Sequence, residues 1–180
     1  MIFKSPIYRV LFFSFLSFNA YSQAKSDSII SWSKNNKLEC VDFKGNVPKH
    51  TQWAAITTYL IYVEGTTTTG KLPKYSIEAR FNRYLSWMRV DSNYVLVHEQ
   101  LHFDIAELFA RKMRQLLSEL QLKGEKKMAI YNSSFTKLNQ ECYQMQRDYD
   151  KATTHGTNFP KQKEWSVSIA KKIKQLNKFE

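Results

Sequence analysis

The chain has 180 residues, 43% of them hydrophobic and 14% aromatic, and carries a formal net charge of +11. That length suits one domain with a buried core, and five glycines and four prolines are too few for a fibre or a low-complexity chain. The basic surplus is scattered through "GEKKM", "FPKQK" and "AKKIKQLNK", which read as solvated helix faces rather than a nucleic-acid stripe.

Residues 1–22 read as a secretory signal peptide. Lys4 and Arg9 form a basic start, residues 10–18 are apolar, and Ala20 and Ser22 are small residues where a signal peptidase cuts, before Gln23. The apolar run is too short to span a bilayer, so no stable membrane insertion is expected. Loss of Lys4 and Arg9, with no acid, takes the charge from +11 to +9. The expected location is secreted or periplasmic, which also argues against nucleic acid as a partner. Residues 23–180 then make a single domain, expected to act as a monomer. Export makes a disulfide between Cys40 and Cys142 possible. Cys142 falls on an apolar helix stripe, where a buried free thiol fits equally well. No CxxC is present, which excludes a cysteine zinc site.

The first half reads as strands. Residues 37–45, 51–65 and 74–89 are three candidates, and the last alternates with Tyr75, Ile77, Ala79 and Phe81 on one side. The second half reads as helices. Asp91 or Ser92 can cap a helix running to about Leu122, and Gly124 breaks it. A second helix from near Glu125 carries Met128, Tyr131, Phe135, Leu138, Cys142, Met145 and Tyr149 at alternating threes and fours. It should end before "THGTNFP". A third follows Pro160, with Trp165, Ile169, Ile173 and Leu176 inward. Strands first and helices after make an α+β fold, with antiparallel strands packed on a helical hairpin plus a third helix.

The chemistry lies in "YVLVHEQLHF", where His98 and His102 stand four apart with Glu99 between them. On a helical wheel His102 falls about 40° from His98, on the same buried face as Ile105, Phe109 and Met113. Two such imidazoles can share one zinc, and Glu99 is placed to act as general base and then acid. Zinc lowers the pKa of a coordinated water to about 7, which brings hydroxide within reach at neutral pH. The opposite face, Gln100, Asp104, Glu107, Arg111 and Arg114, is expected in solvent, with Glu107 and Arg111 as an i,i+4 pair.

A third protein ligand is expected. The extended pattern with a glycine and a third histidine soon after the second is excluded, because Ile105 and Leu108 stand there. Folding the second helix back antiparallel returns "RDYDKATTHGTNF" to the metal end. That segment offers Asp148, Asp150 and His155, while Glu141 lies more than a turn too deep unless the helices cross, and a carboxylate such as Asp150 or Glu141 is the alternative to a histidine ligand. His155 is the chosen third ligand. Asp150 is a candidate partner behind a ligand histidine, or else a helix C-terminal residue. Tyr149 is a candidate oxyanion donor, although membership of the apolar stripe fits it better. His50 reads as an exposed loop residue.

The blocks "VDFKG", "AAITTYLIY", "LVHEQLHFDIAELFARKMR" and "YDKATTHG" resemble a family of secreted bacterial zinc-dependent proteases catalogued as a domain of unknown function. The resemblance covers nearly all of residues 23–180. It implies a zincin-like fold, His98 and His102 as ligands, Glu99 as the catalytic residue and His155 as the third ligand. The expected function is therefore an exported zinc metallopeptidase acting on a peptide or protein substrate, with the strand ending near Trp87 as the cleft edge. Two readings compete: an envelope metal-binding or pseudo-enzymatic module without turnover, and a structural domain without metal.

Overall fold

The computed structural model describes residues 27–180. The signal peptide read in residues 1–22 lies outside the described residues. Five strands come first: β1 (Ile29–Ser31), β2 (Ala55–Ile56), β3 (Tyr59–Thr66), β4 (Lys74–Asn82) and β5 (Trp87–Met88). Three helices follow: α1 (Asn93–Leu122), α2 (Met128–Thr153) and α3 (Phe159–Gln175). The architecture is α+β, with antiparallel strands preceding the helical hairpin and the third helix. Among the described residues no helix is long and apolar enough to cross a membrane.

Strand β4 is central, flanked by β1 and β3 in an antiparallel sheet of order β1-β4-β3. Its alternation is the one the residues predict. Ile77, Ala79 and Phe81 are buried, and Ala79 pairs with Ile61 across the ladder. That face meets α1, where Phe103 lies 5.9 Å from Phe81 between ring centroids. Phe81, Phe103 and Phe109 are each no more than 1% exposed. Truncating such a side chain costs about 3–5 kcal/mol, so α1 is held firmly on the sheet. Helices α2 and α3 cover its other sides.

Three strand expectations change. Residues 37–45 hold a 3-10 turn at Cys40–Asp42, because Asp42 Oδ2 accepts from the Glu39 amide at 2.8 Å and closes the chain locally. Residues 51–65 split into β2 and β3 at Thr57 and Thr58. The Thr58 amide turns to Ser86 Oγ at 2.8 Å, and Thr57 Oγ1 donates to the Glu99 carbonyl at 3.2 Å. Residues 74–89 split in the same way, because Asn82 Oδ1 accepts from the Tyr84 and Leu85 amides and turns the chain before β5. Strand β5 then pairs with β2, Ala55 opposite Met88 and Ile56 opposite Trp87.

The helix ends follow their capping residues. Ser92 caps α1, its Oγ accepting from the Tyr94 amide at 3.2 Å. Asn158 caps α3, with Pro160 in the first turn. Cys40 and Cys142 are both free thiols. Cys142 is fully buried, and burial pushes its thiol up to about 11.

The expectation of a solvated back face on α1 is overturned. Glu107 is 3% exposed and Arg111 1%. Glu107 accepts from Arg111 Nε at 2.8 Å and Arg114 Nη2 at 2.7 Å. The C-terminal turn covers them: Arg111 donates to Asn177 Oδ1 at 3.1 Å and Arg114 to the Phe179 carbonyl. Asp104 is likewise engaged, accepting from Trp32 Nε1 at 2.7 Å and Lys37 Nζ at 3.1 Å.

Candidate metal centre

His98, Glu99 and His102 lie in the second and third turns of α1, with the two histidines on the side that faces α2 and α3. Nε2 of His98 and Nε2 of His102 are 3.2 Å apart. Asp150 Oδ1, from the last turn of α2, lies 3.3 Å from the first and 3.1 Å from the second. Three donor atoms thus form a nearly equilateral triangle. A tetrahedral ion with ligands at about 2.0–2.1 Å requires donor–donor edges of about 3.3 Å. The triangle fits that size, and two imidazoles with one carboxylate make a donor set that zinc takes.

The imidazoles are held from behind. His98 Nδ1 sits 3.0 Å from Gln162 Oε1, and His102 Nδ1 sits 2.6 Å from Gln146 Oε1. Each amide is itself oriented. Gln146 Nε2 donates to the His102 carbonyl at 2.9 Å, and Gln162 Nε2 donates to the Tyr94 carbonyl at 3.4 Å. With the amide oxygens fixed toward the rings, a neutral imidazole keeps its proton on Nδ1 and turns the Nε2 lone pair to the triangle, and a second proton taken up on Nε2 is donated to Asp150. The two glutamines escape a reading of sequence because neutral amides carry no chemical signature. One signal was available: both stand at inward positions of otherwise apolar stripes, Gln146 beside Met145 and Tyr149, Gln162 one turn before Trp165.

Tyr149 forms the floor. Its ring stacks on His98 at 4.7 Å and meets His102 edge-on at 5.0 Å. Its hydroxyl points toward the His98 carbonyl and Gln162 Oε1, both at 3.4 Å. That places it behind the histidines, in the apolar stripe, and not on the cavity wall.

Asp150, rather than His155, stands in the donor group with the two histidines. Helix α2 runs on to Thr153, so Asp150 still faces α1, while His155 lies beyond the helix end. Thr154, His155 and Gly156 all have positive φ, at 50°, 50° and 85°. Left-handed backbone is costly for a β-branched residue such as Thr154. This turn lays Gly156 against His98, where an added Cβ would meet Cγ of the ring at 3.1 Å. It lifts His155 to the rim, half exposed, with Nδ1 3.8 Å from Asp150 Oδ1 and its ring 4.5 Å from Trp53. His50 is exposed.

Charge follows geometry. Burial works against ionisation of Asp150, yet hydrogen bonds from His102 and His98 hold its carboxyl well below the usual range. Burial likewise works against a charged His102, but Asp150 and Glu99 raise its pKa above the ordinary value.

The triangle opens into a cavity of about 720 Å³. Glu99, 5% exposed, lines it beside the donor atoms. Strand β2 lines it through Ala55 and Ile56, so the cleft edge is β2 and not its partner β5.

The chain belongs to a bacterial family. A family profile described as "Bacterial protein of unknown function (DUF922)" matches residues 42–156, which include His98, Glu99, His102, Asp150 and His155. No curated protein and no solved structure matches the chain.

Proposed function

We propose that the protein is an exported, zinc-dependent metallopeptidase of zincin type. The observation that carries this reading is the donor triangle of His98, His102 and Asp150, set beside Glu99 in one cavity. Zinc held there supplies a Lewis acid for the scissile carbonyl and makes water more acidic. Glu99 takes the proton from the attacking water and hands it to the leaving amine, as a carboxylate on the cavity wall can. Gln146 and Gln162 keep Nε2 of each histidine free of a proton. Tyr149 fixes the planes of both rings, and β2 offers an edge along which an extended chain can lie. His155 stays at the rim.

The test is a zinc count and a peptide-cleavage assay on the mature protein. One zinc per chain is expected in the wild type, lost in Asp150→Ala and kept in His155→Ala. Glu99→Gln should keep the zinc and lose about 10²–10⁴ in turnover. Zinc without hydrolysis in the wild type would assign the site to a metal-holding module. No zinc would overturn the reading.

A further inference from the structure

The charge of the molecule is distributed unevenly. Of its 27 lysines and arginines, none among the described residues lines the cavity. Among the described residues the only carboxylates on its wall are Glu99 and Asp150. Both are committed, one to proton transfer and one to the donor triangle. Among the described residues, a substrate ending in a free carboxylate near the scissile bond would find no lysine or arginine to hold it, and a free amino terminus would find no spare carboxylate. Enzymes that trim chain ends need one or the other, because a terminal charge taken from water must be paired.

The rim tells the same story in apolar terms. Trp53, Ile56 and Phe159 are 38%, 39% and 60% exposed, and all three line this one cavity. Phe159 packs edge-on against Tyr94 at 3.9 Å, extending an aromatic wall from the first turn of α1 to the first turn of α3. Exposed large apolar side chains gathered around one cleft mark a contact surface.

We infer that the cavity takes an internal stretch of polypeptide, with uncharged backbone on both sides and a bulky aromatic or aliphatic side chain against the Tyr94–Phe159 wall. The inference rests on the metallopeptidase reading for the site, and its test keeps the two apart. Binding is measured to zinc-loaded Glu99→Gln protein with three peptides of one core sequence. The first has phenylalanine at its centre, an acetylated start and an amidated end. The second stops at that phenylalanine with a free carboxylate. The third has aspartate in its place. The first should bind at least about tenfold more tightly than the others, and Phe159→Ala should weaken it about tenfold. Equal or tighter binding of the carboxylate peptide overturns the inference, as does indifference to Phe159→Ala or no binding of any peptide. Cleavage of the first peptide by the wild type is read separately from its product masses. Binding without cleavage would sink the peptidase reading and leave the ligand class standing.

Discussion

Helix α1 carries two buried polar clusters, and they are closed in opposite ways. Around Glu107 every charge meets its counterpart. Two guanidinium groups converge on the Glu107 carboxylate, Arg111 Nη2 also reaches Glu180 Oε1 at 3.4 Å, and the remaining donors go to the Ile77, Ile173 and Phe179 carbonyls and to Asn177. The chain's own C-terminal turn seals the cluster, so nothing is left for a ligand. Around His98 the balance is reversed. Once the glutamine oxygens have taken both Nδ1 protons, two Nε2 lone pairs and a carboxylate oxygen face one another across about 3.2 Å. Three acceptors cannot satisfy one another. They need a proton or a cation. Burial of charge is common to both regions, so burial alone does not mark a functional site. The mismatch of donors and acceptors does.

The comparison can be broken most severely at Glu107. Glu107→Ala leaves Arg111 buried without its carboxylate and should cost about 3–5 kcal/mol in urea unfolding. Zinc affinity of the folded fraction should be unchanged. A loss of both together would mean that the clusters are one unit. A smaller effect is expected at Gln146. Gln146→Leu frees the His102 tautomer and should weaken zinc binding about 10–100-fold in a competition titration with a chelator. Unfolding of the metal-free protein should move far less than in Glu107→Ala.

The smallest expected effect is on pH dependence of the metal-free protein. His102 is held above its ordinary pKa of about 6.5, so its contribution is complete below that pH and lost as pH rises through the raised value. Asp150 is held below about 3.9, so its contribution is present above that pH and lost as pH falls through the lowered value. Stability from this pair therefore peaks between about pH 4 and pH 6.5. Zinc affinity runs the other way above that window, because binding must displace the His102 proton. Urea midpoints across pH should flatten in Asp150→Asn and stay parallel to wild type in Glu107→Ala.

Much of α1 was legible. Ser92 and Gly124 bracket it, and the spacing of His98 and His102 places both on one face. The hairpin turn returns residues 147–155 to that face, and within them His155 is the one histidine, placed where a loop can reach over the helix mouth. The helix ends at Thr153, as its punctuation predicts, but the left-handed turn that follows carries His155 to the rim and leaves Asp150 facing the two histidines. The Glu107–Arg111 spacing looked like a solvated pair because periodicity sees only neighbours on one helix. The segments that bury it, β4 and residues 177–180, lie far away in sequence. Gln146 and Gln162 had the opposite problem, standing at stripe positions where an unremarkable polar residue is easily passed over.

The free state of Cys40 and Cys142 has a consequence for a chain read as exported. Most small extracellular domains are stapled by disulfides, and the described residues of this one contain none. Yet the donor atoms come from α1 and α2, and the amides that orient them come from α2 and α3. A bound ion would thus tie three helices at one point and act as the missing cross-link. At a free-ion concentration a thousandfold above its dissociation constant, such a tie would add about 4 kcal/mol to the folded state. On the proposed reading, the ion that serves hydrolysis would also guard this chain from being cut.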